Sequence, residues 1–323
     1  MVKKILLWIA LFLGFKIAIA LVIGLLPVDP RRDIAIREKH RQAFAPNAVF
    51  IGTSRTLYGI NPLIFDSLNA GQTRSYNMGL FSLSIANSLK IARHIIENDP
   101  KTQTIFIELS ALDYSTIHMT PDQVFNDVYF RMRVDEATVN PDDHGKWSDF
   151  LSDFNTTLFQ IFSIAPQIAT FKKWINPVND PIEGPPNLQT NGFQDVDLTI
   201  PGLNTMVVNN RFYTKKLTAP SHHPAPNAYF LTAINEVITL SKAYRKRVIF
   251  YMPNNVTKGE YELLAQVTPY ISQANFISLP KDPTLEAILK PGNLFDSHHL
   301  NAKGSGIYTR YLYEEFSKKP ANL

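Results

Sequence analysis

Five short apolar runs, at residues 47–52, 75–79, 103–109, 247–252 and 275–279, each end in turn-forming or polar residues. A run that is apolar on both sides of the chain suits a strand buried on both faces, as in a parallel sheet. Between the runs the period lengthens to that of a helix. Ile85, Leu89, Ala92 and Ile96 share one face, as do Leu231, Ile234 and Ile238, and later Leu264, Val267 and Ile271. Strands alternating with helices predict a three-layer α/β/α domain. Asn61 followed by Pro62 marks a helix start, with Gly71 as its stop, and Asn301 caps the last helix.

Two stretches break this rhythm. Residues 5–26 are apolar apart from Lys16 and would span about 33 Å as a helix, enough to cross a bilayer. A Lys at the bilayer centre costs roughly 2.5 to 3.5 kcal/mol, so Lys16 marks a contact with a protein partner or snorkels to the interface. The rival reading is a cleaved signal peptide, since residues 18–20 resemble a cleavage site, but the apolar run continues beyond them. We therefore expect a membrane anchor over residues 1–27 and one α/β domain over residues 28–323. Orientation stays open by charge, because Lys3 and Lys4 precede the run while Arg31, Arg32, Arg37, Lys39 and Arg41 follow it. The second break is an insertion at about residues 115–225, dense in Pro, Asn and Gly from Asn176 onward. Insertions of that length are commonly lids or binding loops. Its Trp147, Trp174, Phe193 and Tyr213 are candidates to stack on sugar rings or simply to pack the insertion onto the body.

Composition narrows the chemistry. The net charge is +4, yet the Lys and Arg residues are scattered rather than gathered in a stripe, which argues against nucleic acid. Cys is absent, which rules out a disulfide framework, a thiolate nucleophile and a Cys-based metal site. The pairs His222–His223 and His298–His299 lack the spacing with which two imidazoles share one ion, so no metal and no cofactor is expected. Glu108 and Asp113 are a weak carboxylate pair for glycoside hydrolysis, one in a predicted core strand and the other in a loop.

Two segments carry a stronger signal. Residues 49–56, VFIGTSRT, run an apolar strand straight into Gly52-Thr53-Ser54, placing the Ser54 hydroxyl at the carboxyl edge of the sheet, where open α/β folds bind ligands. Residues 295–304, FDSHHLNAKG, set Asp296 three residues before His299. A serine nucleophile needs an imidazole to take its proton and a carboxylate to fix that imidazole's tautomer. Arg55, next to the serine, is a candidate for holding a phosphate or carboxylate of a substrate, or for a structural ion pair.

Together, GTSR at residues 52–55, NMGLFS at 77–82 and DSHHLN at 296–301 resemble the first, second and last conserved blocks of the SGNH (GDSL-like) hydrolase superfamily. The resemblance covers residues 49–312 without the insertion. It implies a flavodoxin-like fold, with Ser54 as nucleophile, His299 as general base and Asp296 as its orienting carboxylate. The oxyanion hole would take the backbone N–H of Ser54 and one from the second block, either Gly79 of Asn-x-Gly or Ser82, which stands where many members carry a second Gly. Two features depart from the pattern. The usual Gly-Asp-Ser is Gly-Thr-Ser here, and the third block, normally Gly-x-Asn-Asp, reads IELSALDY, with only Ser110 or Asp113 near the missing Asn. Losing one such donor costs on the order of 100- to 1000-fold in rate.

The opening residues and the anchor look most similar to a divergent branch of the superfamily, which includes alginate acetylation proteins and the D-alanyl transfer protein of teichoic acid export. This resemblance implies an esterase or O-acyltransferase on the periplasmic side of the inner membrane. It would act on a glycan or cell-envelope polymer and work beside a polytopic membrane O-acyltransferase. The alternative is a non-catalytic SGNH-like subunit that uses the same cleft for binding.

Overall fold

The computed structural model describes residues 2–24, 29–110, 120–138, 175, 188–218, 224–281 and 283–320. The chain divides into two units, and the larger comprises Arg31–Thr138 and Asn187–Leu323. In the smaller unit the described element is a 23-residue helix, α1 (Val2–Gly24). Lys16 and four neighbours in its second half lie outside the described side chains. Among the described residues, no helix is long and apolar enough to cross a membrane.

The larger unit follows the sequence pattern: α2 (Ile34–Phe44), β1 (Ala48–Gly52), α3 (Ser54–Gly59), α4 (Pro62–Leu68), β2 (Ser75–Gly79), α5 (Ile85–Asn98), β3 (Thr104–Glu108) and α6 (Pro121–Thr138) come first. After the insertion come α7 (Thr205–Thr218), α8 (Ala228–Ala243), β4 (Arg247–Tyr251), α9 (Lys258–Leu264), β5 (Phe276–Ile277), α10 (Thr284–Ile288) and α11 (Ala302–Ser317). All five strands are parallel and lie in the order β2-β1-β3-β4-β5, the flavodoxin-like order. In register, Phe50 of β1 lies between Asn77 of β2 and Phe106 of β3.

The strands alternate between two buried faces, so both sides of the sheet need a helical cover. On one face Val49, Ile51, Tyr76, Met78, Ile105, Ile107, Val248 and Phe250 pack against α5 and α8, with Phe130 and Val134 of α6 behind them. On the other, Phe50, Phe106, Ile249 and Tyr251 meet Phe65 of α4, Leu285 and Ile288 of α10, and Tyr308 and Leu312 of α11. The expected caps form: the side chain of Asn61 accepts from Leu63 N and that of Asn301 from Gly304 N, both at 3.0 Å.

Three details differ from the sequence reading. Leu264, Val267 and Ile271 are all buried but do not share one helix, because α9 stops at Leu264 and a separate 3₁₀ turn over Thr268–Tyr270, with Pro269 in its first turn, follows. The last strand shrinks to Phe276–Ile277. The described parts of the segment expected as an insertion, near its two ends, are built into the body. Residues 121–138 and 205–218 are helices, and residues 188–200 are stitched to the core by backbone bonds from Asn77 N to Asn191 O (2.8 Å), Gln194 N to Leu57 O (3.2 Å) and Ala302 N to Val196 O (2.9 Å). Composition hid this, since Asn and Gly rich chain can still donate and accept backbone bonds.

Phe50 has no exposure, stacks on Phe106 at a 4.3 Å centroid distance and meets Phe65 edge-on at 5.1 Å. Phe50→Ala is expected to lower stability by about 3–5 kcal/mol through lost transfer energy and a residual cavity. A urea titration checks this by a fall in midpoint at unchanged slope.

Candidate active site

The nucleophile turn is shaped by what surrounds Ser54. Thr53 caps α3, its hydroxyl oxygen accepting from Arg55 N at 3.1 Å, so Ser54 becomes the first helical residue at the carboxyl end of β1. Behind the turn lies Glu108, the last residue of β3 and fully buried. Its carboxylate accepts from Thr53 N (3.0 Å), from the Thr53 hydroxyl (2.8 Å) and from the Thr56 hydroxyl. The Thr56 proton is spent on Glu108, so the Tyr251 hydroxyl, 2.6 Å away, donates to Thr56 Oγ1. Burial, with Glu108 and Tyr308 adding to it, pushes the Tyr251 phenol well above its ordinary value and keeps it a donor.

The second block serves the same turn from the other side. The Asn77 side chain donates to Thr56 O and Ile60 O, both at 2.7 Å, and its Oδ1 accepts from Gly79 N at 2.9 Å. A Cβ on Gly79 would stand 2.2 Å from Leu57 N, so the Asn-x-Gly pattern is explained by α3 lying directly on the end of β2. The Gly79 register of the oxyanion hole is thereby corrected, since its N–H is committed to Asn77. Ser82 differs. Its φ is 54°, the left-handed region that a Gly enters freely, and neither its N–H nor that of Ser54 donates to a protein group among the described residues.

The base arrives from the far end of the chain. His299 Nε2 lies 2.8 Å from Ser54 Oγ, and His299 Nδ1 lies 2.7 Å from Asp296 Oδ2. The other carboxylate oxygen of Asp296 accepts from the backbone N–H groups of His298 and His299, both at 2.8 Å. Burial alone would push the Asp296 carboxyl up, but the hydrogen bond and charge of His299, followed by those two N–H donors, hold it below its ordinary value. Phe295 stacks on the imidazole at 5.4 Å and Tyr58 meets it edge-on at 5.2 Å, which fixes the ring plane.

The loop carrying the base is gripped by three asparagines. Asn254 and Asn255, just after β4, donate to His298 O at 3.1 and 2.6 Å, and Asn210 of α7 donates to Ser297 O at 3.1 Å. Burial, then the charges of His299 and Arg55, pull the His298 imidazole below its ordinary value. It sits beside the site as a neutral ring.

Arg55 does not face a ligand, contrary to its candidacy for substrate binding. Its side chain is 3% exposed and pairs with Glu260 through both guanidinium nitrogens (2.6 and 2.9 Å) and with Glu108 at 3.2 Å, while Nη1 also donates to Asn255 O at 2.9 Å. Three buried acceptors commit this fork to protein groups. Phe193 is likewise 1% exposed and unsuited to stack on a sugar, and Tyr213 packs against Tyr261. Asp113, Trp147, Trp174, His222 and His223 lie outside the described residues. Ser110 is described, with a buried hydroxyl that bonds no protein group among the described residues.

Sequence reading missed Glu108 as an anchor of the turn, together with Glu260, Asn254, Asn255 and Asn210. The one available signal was Asn254-Asn255 directly after an apolar strand, at the same carboxyl edge that flagged Ser54. No family model, curated protein or solved structure matches the chain.

A serine hydroxyl, an imidazole and a carboxylate in this order can move the serine proton to Nε2 while the carboxylate steadies the imidazolium. One prediction concerns the support beneath it. Burial would raise Glu260, but the charge and hydrogen bonds of Arg55, aided by Thr257, lower its carboxyl below the ordinary value. A lowered folded-state value gives stability that is present above the unfolded carboxyl range and is lost as pH falls through the folded one. Glu260→Gln is thus expected to destabilise the protein by about 3–5 kcal/mol at neutral pH, with the gap closing in acid. Thermal melts from pH 7 to 3 test this, and a gap of constant size would refute it.

Proposed function

We propose that this protein is a serine esterase or O-acyltransferase of the SGNH type, with Ser54 as nucleophile, His299 as general base and acid, and Asp296 as the carboxylate that orients it. The observation that carries the reading is the continuous line from Ser54 Oγ through His299 (2.8 Å) to Asp296 (2.7 Å). The flavodoxin-like strand order supports it, because Ser54 follows β1 at the switch between β1 and β3, where such sheets bind ligands.

In the proposed reaction Ser54 Oγ attacks the carbonyl carbon of an ester as its proton passes to His299 Nε2. The carbonyl electron pair moves onto oxygen, held by the N–H groups of Ser54 and Ser82. When the pair returns, the carbon–oxygen bond to the leaving alcohol breaks and that alcohol takes the proton from Nε2, leaving an acyl-serine. Water or a glycan hydroxyl then gives its proton to Nε2 and attacks the acyl carbon, and Ser54 departs with the proton restored. Asp296, held as a carboxylate, remains ionised throughout.

The apolar run at residues 5–26, helical over Val2–Gly24, is proposed as a single-pass anchor in the inner membrane. With the domain in the periplasm, the substrate class would be a glycan or cell-envelope polymer and the partner a polytopic membrane O-acyltransferase. The periplasmic side, the substrate and the partner rest on the family resemblance. A second reading, a non-catalytic subunit, is favoured by one observation: the third block has no Asn, and the nearest described hydroxyl, Ser110, is buried.

A fluorophosphonate probe separates the two readings. Wild-type protein is expected to gain one adduct, mapped to Ser54 by peptide mass, and Ser54→Ala none. With an activated ester, Asp296→Asn should lower kcat on the order of 10⁴-fold, through the wrong imidazole tautomer. A folded wild type that takes no label favours the binding subunit. The anchor has its own test, in which the chain should stay with membranes through alkaline carbonate and leave in detergent. Release by carbonate would refute a spanning helix.

A further inference from the structure

The nucleophile starts α3 and the base sits in the loop before α11, near opposite ends of the domain sequence, and a 2.8 Å bond between them demands that the two segments keep a fixed separation. Tyr58 of α3 packs on Phe295 and His299 and sets the ring plane, and a tie of directional bonds behind the reacting atoms can fix the separation more sharply than such apolar contact does. We infer that Arg55 and Asn255 form that tie, with Arg55 as a positioning residue that sets the distance between Ser54 and His299. The inference deepens the proposed serine mechanism and rests on it.

The route is short. Arg55 is the residue after Ser54, and its Nη1 donates to Asn255 O at 2.9 Å. The Asn255 side chain donates to His298 O at 2.6 Å, and His298 is the residue before His299. Two hydrogen bonds therefore join the neighbour of the nucleophile to the neighbour of the base. Both ends are braced. On the serine side, Glu108 holds Thr53, Arg55 and Thr56 at once. On the base side, Asn254 shares His298 O, and Asn210 holds Ser297 O. Glu260 steadies the middle, binding both prongs of Arg55 and closing a capping box with Thr257 at the start of α9.

The guanidinium suits this task for a geometric reason. One planar group reaches Glu260, Glu108 and a main-chain carbonyl in fixed directions, whereas a lysine at the same place offers one point charge. Arg55→Lys thus keeps the buried charge balance and removes the fork. Asn255→Ala keeps the carbonyl that Arg55 binds and removes only the arm that reaches His298. Misplacing reacting groups by about 1 Å costs on the order of 100-fold in rate.

The test uses the full chain with both variants and their combination, with folding followed by circular dichroism. The fluorophosphonate is expected to label each folded single variant about 10- to 100-fold more slowly than wild type, with a displaced pH profile. The double variant should be no slower than the slower single, since both break one connection. Folded variants that label at the wild-type rate with the wild-type pH profile would overturn the inference. If Arg55→Lys does not fold, Asn255→Ala decides alone by the same readouts. If wild type takes no label, the serine reading fails and the ring ¹⁵N shifts of His299 decide the tie separately: a displacement in the variants supports it, and identical shifts overturn it.

Discussion

A carboxylate with no access to solvent has to be surrounded by donors, and Glu108 draws most of its donors from one turn of chain. That constraint orders the rest of the larger unit. The end of β3 is fixed to the end of β1, the residues on either side of Ser54 are held in place, and the serine between them is left facing His299. The sheet supplies the setting: in the order β2-β1-β3-β4-β5, the chain leaves β1 toward one edge and returns past it to build the other. The carboxyl ends of β1 and β3 are thus neighbours whose following loops diverge, and the site lies where they part.

The layers around the site divide the work. The apolar faces give the fold its stability, with Phe50, Phe65 and Phe106 clustered on one side and the α5 and α8 interface on the other. The polar groups behind the site specify position instead, since each buried charge is costly unless its partners sit in one arrangement. Arg55, Glu108, Glu260 and Asn77 are of this kind. Their bonds cross between elements, so shifting one strand end disturbs several loops together.

Much of the site was legible because its chemistry is local in sequence. Ser54 follows its strand directly, and Asp296 and His299 share one loop, so spacing alone pairs them. The strands and α5 were legible for the same reason, as period and burial coincide. What escaped reading acts over long separations. Glu108 meets partners 52 and 55 residues away, and Arg55 meets Glu260 across 205. No local pattern distinguishes a buried arginine fork from one aimed at a substrate, and of the two roles open to Arg55 its burial and its pairs with Glu108 and Glu260 select the structural one. The commitment of the Gly79 N–H to Asn77 also needs coordinates, because a two-residue side-chain loop competes with any ligand for the same donor.

The same carboxylate explains why a threonine stands ahead of the serine. Thr53 donates its hydroxyl to Glu108 Oε1 at 2.8 Å. An aspartate there would set a second acid beside Glu108, away from water, and would take away the hydroxyl that donates to it. Threonine and glutamate thus make a matched couple. A chain with aspartate at position 53 would need an amide at the end of β3 to face it, so positions 53 and 108 are exchangeable only as a pair.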